Sequence, residues 1–227
     1  MTQPRSHEIV NDTPPAGLPM LLLGILVAPI GTITLFIMAG LADGRGDEPM
    51  LITYVVLAGL SILVGVLIYR TLVLVNPNHA KVVLLFGRYT GSILKNGFFA
   101  VNPFTVRRDV SRRIRNFTSE TLKVNDSRGN PIEIAAVVVW KVKNTAQALF
   151  DVEDFEDYVE TQTESGLRHL AACHPYDLTG EEEEGVSLRG SAEIVSDELE
   201  RELAERLTLA GIEVLGETPS SSSPVRS

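Results

Sequence analysis

Residues 50–69 read MLITYVVLAGLSILVGVLIY, an uncharged run of twenty that Arg70 closes. At a rise of ~1.5 Å per residue, a helix of this length spans ~30 Å, which is the thickness of a bilayer's hydrocarbon core. A helix in the core of a soluble protein usually shows a polar stripe at helical spacing, and this run shows none. The run therefore predicts a transmembrane helix.

A second uncharged run lies upstream, from Leu18 to Ala42, after an N-terminal tail at residues 1–17. It is longer than the apolar region of a signal peptide, so we predict a retained helix. The link DGRGDEP at residues 43–49 carries four charged side chains, which are costly to bury in lipid. Two full crossings keep the link in water. We therefore predict a transmembrane hairpin with helices at about residues 18–42 and 50–69.

Small residues recur at every fourth position of both runs. They are Gly24, Ala28 and Thr32 in the first run and Ser61 and Gly65 in the second. This spacing lets two membrane helices approach each other closely. It predicts that the two helices pack together along these positions.

Positive charge is concentrated directly after the second run. The chain has a net charge of −9, yet residues 70–117 contain nine basic residues and one acidic residue. Basic side chains near an anionic leaflet gain about 1 kcal/mol each, so we predict contact with anionic lipid headgroups. An ordinary solvated face, or pairing with acids of residues 118–227, is the alternative. The predicted lipid contacts are Arg70, Arg107, Arg108, Arg112, Arg113 and Arg115.

The same charge bias predicts the orientation of the chain. Basic residues flanking membrane helices favour the cytoplasmic side, and the link between the two runs has only Arg45. We therefore expect a multi-pass integral protein of the plasma (inner) membrane, with its C-terminal domain in the cytoplasm.

After Thr71 the pattern changes to strands and then to helices. Apolar runs with turn residues between them predict strands, and capping residues such as Asp154 predict helix starts. Such an order favours an α+β domain with a mostly antiparallel sheet and packed helices. Residues 71–216 form this domain, and residues 217–227 form a Ser/Pro-rich tail expected to be disordered. The predicted strands are 81–86, 98–101, 106–125, 131–142 and 212–215, and the predicted helices are 146–150, 155–173 and 191–210.

The last predicted helix has an apolar stripe of Val195, Leu199, Leu203 and Leu207 at four-residue spacing. The stripe is a candidate contact for a partner protein or a second copy. Packing on the domain's own sheet is the favoured interpretation, because amphipathic helices usually bury their apolar face within the fold.

Residues that would indicate catalysis or metal binding are few. No Gly-rich phosphate loop, GxSxG elbow or HExxH motif is present. His169, Cys173 and His174 cluster at helical spacing, but a metal site needs three or four ligands and no further partner is evident. Glu181–Glu184 is interpreted as a solvated acidic loop. We therefore predict no catalytic, cofactor-binding or metal site, and no nucleic-acid partner.

Five sequence segments resemble the SPFH (band-7) family of stomatins, prohibitins and flotillins. They are VNPNHAKVVLLFGRY at 75–89, NGFFAVNPF at 96–104, LKVNDSRGNP at 122–131, VVVWKV at 137–142 and SGLR at 165–168. Their order and spacing carry the resemblance, which covers roughly residues 72–215. In the family a long, often coiled-coil helix usually follows the position of Leu215. Here the Ser/Pro tail follows, so we expect a short form.

The resemblance implies a membrane-anchored, non-catalytic scaffold. Such proteins self-associate, organise membrane microdomains and in some cases modulate partners such as membrane proteases. Two alternatives stay open. One is an accessory subunit of a transporter or channel, and the other is a membrane-anchored enzyme with an unrecognised site.

Overall fold

The computed structural model describes residues 28–178 and 185–215, together with Val10, Pro19, Leu22 and Gly24. Most of the predicted N-terminal tail, the start of the first apolar run, the acidic run Glu181–Glu184 and the Ser/Pro tail lie outside the described residues. The described chain divides into two compact units. The N-terminal unit runs to Val110, and the C-terminal unit begins at Ser111.

The described part of the N-terminal unit combines two helices with short antiparallel strands. Strand β1 pairs with β4, β2 pairs with β3, and β2 lies between β3 and β5 in a three-stranded sheet. Inward-facing Val73, Val75, Val83, Ile93 and Phe99 form its apolar core. Its elements are α1 Ala28–Asp43, α2 Glu48–Thr71, β1 Leu72–Val75, β2 His79–Leu85, β3 Arg88–Ile93, β4 Gly97–Ala100 and β5 Thr105–Ser111, which ends at the unit boundary.

The C-terminal unit packs three helices on antiparallel strands. Strand β9 lies between β10 and β6, and β7 pairs with β8. The β9–β10 pair is reinforced by Glu213, whose carboxylate lies 3.0 Å from Lys141 and 2.9 Å from Lys143. Its elements are β6 Arg115–Thr118, β7 Leu122–Asn125, β8 Pro131–Ile134, β9 Val137–Val142, α3 Thr145–Phe150, α4 Phe155–Cys173, α5 Ala192–Thr208 and β10 Ile212–Leu215.

The predicted antiparallel hairpin around residues 126–130 is present, but its two long strands are each broken. Thr118 lies opposite Val137, whereas Leu122 lies opposite Ile134, so three residues on one side face two on the other. The extra residue interrupts the ladder, as in a β-bulge. The Ser119 hydroxyl accepts a hydrogen bond of 2.9 Å from the amide of Ala136 there. The single predicted strands at 106–125 and 131–142 were therefore wrong.

The helix starts agree with the capping residues. The side chain of Asn144 accepts hydrogen bonds from two amides of the first turn of α3, and Asp154 does the same for α4. Each satisfies donors that a helix N-terminus leaves without partners. Helix α4 ends at Cys173, two residues before Pro175, as predicted. Mixed helices and antiparallel strands confirm the α+β class.

Candidate membrane interface

Helix α2 is the candidate membrane span. It has 24 residues, an 18-residue window with a mean hydropathy of 2.6, and only 11% of that window is buried. Among the described residues, no other helix is both long and apolar enough to cross a bilayer. Helix α1 is apolar but has 16 described residues. The structure therefore supplies one candidate span, and the two-helix transmembrane hairpin stays a prediction.

Helices α1 and α2 pack against each other through the small residues that the sequence indicated. The hydroxyls of Thr32 and Ser61 lie 2.6 Å apart and share a hydrogen bond across the helices. A Cβ atom added at Gly65 would lie 3.3 Å from the Cβ of Ala28, and one at Gly24 would lie 3.0 Å from an isoleucine of α2. The close approach of the two helices therefore depends on glycine, which has no side chain, at these positions, as in other small-residue helix pairs.

The candidate span continues into the sheet without a linker. Helix α2 ends at Thr71 and β1 begins at Leu72. The guanidinium of Arg107 on β5 donates a hydrogen bond of 3.0 Å to the carbonyl of Leu72 and another to the carbonyl of Arg70. Carbonyls at a helix C-terminus lack helical partners and favour a nearby cation. Arg107 therefore caps α2 and fixes it to β5.

Replacing Arg107 with methionine is expected to loosen this junction. Hydrogen bonds to charged groups contribute roughly 1.5–3 kcal/mol each, and less where water competes. Because Arg107 is only half-buried, we expect the loss of both bonds to cost about 2 kcal/mol of local stability. Amide hydrogen exchange in β1 should then become about thirtyfold faster. Lysine at this position should give an intermediate effect, because it lacks the planar fork that reaches two carbonyls. The matched control is Arg108→Met, since Arg108 is an exposed neighbour; equal effects of both methionine variants would contradict the cap.

The six arginines predicted to contact lipid have different environments. Burial lowers the pKa of Arg107, and the positive charge of Arg70 lowers it further. Arg115 forms an ion pair with Glu156, and its guanidinium carbon lies 5.5 Å from the Trp140 ring centre and 5.7 Å from that of Phe155. Lipid contact stays a prediction for the set. Arg107, Arg112 and Arg115 are half-buried, whereas Arg70, Arg108 and Arg113 are exposed.

These arginines also lie in different units. Arg70, Arg107 and Arg108 belong to the N-terminal unit, and the other three belong to the C-terminal unit. Arg115 stacks on two aromatic rings within its own unit, a cation–π arrangement that joins β6, β9 and α4. Sequence proximity alone had grouped residues whose side chains serve separate purposes.

The family comparison covers most of the strands and all of the C-terminal helices. The sequence model described as "SPFH domain / Band 7 family" matches residues 73–220, which is more than half of the chain. This chain belongs to the SPFH/Band 7 family. No curated protein is similar enough to count as a match. The predicted resemblance over roughly residues 72–215 is confirmed.

Two general properties of the SPFH/Band 7 family bear on this chain. The family is typically membrane-associated, which agrees with the candidate span immediately before the matched region. It is also generally non-catalytic. Among the described residues, no group of three or more His, Cys, Asp or Glu side chains is arranged to hold a metal ion.

The histidines and the cysteine of the SPFH/Band 7 domain have local contacts. The Nε2 of His169 lies 3.9 Å from the Sγ of Cys173, four residues along α4. The Nε2 of His174 lies 2.8 Å from a carboxylate oxygen of Glu198, so it joins the end of α4 to α5. The two histidines therefore contact different partners.

Exposed apolar residues near the end of α2 were not identified from the sequence. Leu74 on β1 lies directly opposite Phe98 on β4, and their exposed fractions are 51% and 39%. Their neighbours Val73 and Phe99 are buried on the other face. Successive side chains of a strand point to opposite faces, so the exposure of Leu74 could have been inferred from the sequence if β1 had been recognised as a strand.

The β2–β3 turn of the SPFH/Band 7 domain presents a further exposed aromatic residue. Phe86 and Gly87 both have positive φ angles, of 49° and 81°. This pair of angles is typical of the tight turns that close β-hairpins, although phenylalanine rarely adopts it. The Phe86 side chain is 85% exposed as a result.

The apolar stripe of α5 is mostly buried inside the C-terminal unit. Val195, Leu203 and Leu207 are buried, and Leu199 is half-buried. Gly166 of α4 allows the close packing, because a Cβ there would lie 3.3 Å from Leu199 and Leu203 atoms. The stripe therefore packs within its own unit. Of the four residues, only Leu199 keeps a partly exposed side chain for a partner.

Asp126 joins the β7–β8 turn to the segment after α4. One carboxylate oxygen accepts from the amides of Arg128 and Asn130, at 3.0 and 2.7 Å. The other accepts from the Asn130 side-chain amide at 3.0 Å and from the amide of Tyr176 at 3.1 Å. These hydrogen bonds lower the pKa of Asp126 to about 2, and the bond from the Asn130 side chain contributes most to the shift. The ionised form is therefore part of the folded structure.

The lowered pKa predicts a pH-dependent stability difference. Because the folded pKa of Asp126 lies below the ordinary value of 3.8, its ionisation stabilises the fold above that value. This contribution should disappear as the pH falls towards 2. We expect Asp126→Asn to unfold at a lower temperature than the natural chain at pH 7, and the gap between them to close between about pH 4 and pH 2. A gap that is independent of pH would contradict this role.

Proposed function

We propose that this SPFH/Band 7 chain is a membrane-anchored, non-catalytic scaffold. In this proposal both N-terminal helices cross the plasma membrane as a hairpin and hold the domain on the cytoplasmic side. The observation that carries it is the junction at Thr71, where the candidate span enters the sheet without a linker and is capped by Arg107. A stiff junction fixes the distance between the membrane and the strands of the N-terminal unit, which suits a scaffold.

The surface next to this junction supports lipid contact. Arg70 and Arg108 are exposed cations, and Leu74 and Phe98 form an exposed apolar pair in the same unit. Cations are stabilised near anionic headgroups, and apolar side chains are stabilised by leaving water. We propose that these four residues contact the cytoplasmic leaflet. Lipid contact by Arg113 is a separate proposal for the C-terminal unit.

The partner proposal is self-association together with binding to membrane proteins such as proteases. A shallow groove of about 40 Å³ lies beside Leu199, lined also by Val137 of β9 and Leu215 of β10. Strands β6 and β10 are the outer strands of their sheet. Outer strands keep unpaired backbone groups, which are available to another chain.

Membrane insertion is tested by placing charges on the exposed face of α2. Leu60 and Leu63 each have an exposed fraction of 56%, so arginine at both positions would be harmless if α2 were in water. In a bilayer each arginine costs about 2.5–3.5 kcal/mol on insertion scales. We expect the natural chain to resist extraction by alkaline carbonate. The double variant should be extracted to a greater extent, because only the first helix then remains in the bilayer. The control is Ile114→Arg, an exposed apolar position outside the helices; extraction of the natural chain would overturn the proposal.

Orientation is tested with the single cysteine of the chain. Cys173 is exposed at the end of α4, so a membrane-impermeant maleimide can reach it from one side only. A cytoplasmic domain predicts no labelling in intact cells and full labelling after permeabilisation. Labelling in intact cells would place the domain on the outer side.

A further inference from the structure

A groove with a volume of about 560 Å³ runs along one side of the α1–α2 pair. Its walls are apolar, with Ala28 and Pro29 from α1 and Ile62 and Val66 from α2. Tyr69 and Arg70 lie at one end, so the groove combines an apolar channel with one positive charge. This is the pattern of a site for an amphiphile with an anionic head.

The length of the groove matches one leaflet. Its lining on α2 extends from Ser61 to Arg70. The nine helical steps between these two residues, at ~1.5 Å each, cover roughly 14 Å, which is close to half of the ~30 Å hydrocarbon core. The hydroxyls of Thr32 and Ser61, which are hydrogen-bonded to each other, therefore lie near the bilayer centre when Arg70 lies at headgroup level.

Within the described part of its unit, the charged end of the groove has no acidic partner. Asp109 is held by His79 at 3.3 Å and Lys81 at 3.1 Å. Among the described residues of the N-terminal unit, no carboxylate lies within ion-pair distance of the Arg70 guanidinium, although Arg107 adds a second positive charge nearby. A phosphate at this position would relieve the repulsion between the two guanidinium groups.

A second groove on the hairpin provides an internal comparison. It has a volume of about 490 Å³ and is lined by apolar and small residues including Gly31, Leu35, Leu57 and Val64. Its lining contains no charged residue. The two grooves are therefore similar in size and apolarity, and only the first has a charged residue, Arg70, in its lining.

We propose that the groove ending at Arg70 binds one anionic phospholipid, with an acyl chain between α1 and α2 and its phosphate on the Arg70 guanidinium. The inference rests on the proposed insertion of the helix pair in the membrane and deepens it by naming the lipid class and its site. A bound lipid would fill the space that the small residues leave and would stabilise the hairpin.

The test uses the full-length chain purified in detergent. Binding is measured by native mass spectrometry and by the shift of the melting temperature on adding phosphatidylglycerol, phosphatidylcholine or inorganic phosphate. Two variants address the groove: Arg70→Gln removes the charge, and Val66→Trp fills the channel. Their matched controls are Arg88→Gln, an exposed arginine of the same unit that is outside the proposed lipid contacts, and Val64→Trp, which fills the uncharged groove.

We expect one tightly bound phosphatidylglycerol per chain and at least fivefold weaker binding of phosphatidylcholine. Arg70→Gln and Val66→Trp should each weaken phosphatidylglycerol binding about fivefold to tenfold, while both controls change it less than twofold. Equal effects of Arg70→Gln and Arg88→Gln, a stabilisation by inorganic phosphate as large as that by lipid, or unchanged binding in Val66→Trp would overturn the site. If the natural chain binds no lipid and Val66→Trp loses self-association, the lipid site is wrong and the groove is a contact for a second copy.

Failure of this site and failure of membrane insertion are distinguishable. If alkaline carbonate extracts the natural chain, the proposed function fails and the lipid site fails with it. If the natural chain and Arg70→Gln both resist extraction but bind lipid equally well, only the lipid site is wrong.

Discussion

Alanine at Gly211 is expected to destabilise the C-terminal unit by roughly 3 kcal/mol or more, because strain and overpacking each cost about 1–3 kcal/mol. Gly211 has a φ of +69°, and an added Cβ would lie 2.5 Å from the carbonyl oxygen of Asn144 and 2.8 Å from the Cβ of Gln147. The Gly211 carbonyl also accepts hydrogen bonds of 2.9 Å from the amides of Lys143 and Asn144. Neither backbone can move away without losing these bonds.

The measurement is urea unfolding of the full chain in detergent, followed by the fluorescence of Trp140. This residue is the single tryptophan of the chain and is only 4% exposed, so it reports on the C-terminal unit. Gly129→Ala is the matched control, since Gly129 has a φ of +84° but no atom within 4 Å of an added Cβ. Strain alone should cost the control about 1 kcal/mol. Equal losses at both positions would show that the contact with Asn144 is unimportant.

Alanine at Leu207 is expected to destabilise the same unit by about 2–5 kcal/mol, the usual range for a leucine-to-alanine change in a core. Leu207 has an exposed fraction of 0% and lies on the face of α5 that packs within the unit. The cost combines the lost burial with the cavity left behind, because neighbouring side chains only partly collapse into it. The same urea titration with Trp140 fluorescence measures it.

The comparison of Leu207 with Leu199 separates core packing from partner binding. Leu199 belongs to the same stripe but is half-buried beside a shallow groove. Leu199→Ala should therefore cost less stability and should shift the size distribution in detergent if the groove mediates self-association. The core assignment would be wrong if Leu207→Ala kept full stability and instead changed the oligomer size.

Local signals in the sequence were sufficient for several elements. The uncharged run before Arg70 predicted α2, and Asp154 and Pro175 predicted the two ends of α4, because each signal acts on the backbone within one turn. The four-residue spacing of small residues likewise predicted the packing of α1 on α2. The sequence segments between residues 75 and 168 predicted the family.

The candidate site was predicted only in part. The sequence indicated that Arg70 and its basic neighbours follow the span, but Arg107 caps the helix and Arg115 stacks on Trp140 and Phe155. Which partner a guanidinium meets depends on strands and helices that are distant in the chain. The groove beside Arg70 was not predicted either, because a channel between two helices depends on their rotation relative to each other.

By itself, the sequence determined the apolar span, the position of the positive charge beside it, the helix caps and the membership in the SPFH/Band 7 family. These properties depend on composition and on contacts within a few residues. The tertiary structure alone decided which arginines stay exposed, that the α5 stripe faces its own unit and that Gly211 meets Asn144. Such outcomes follow from packing between distant segments, where the position of one side chain depends on the space that another leaves.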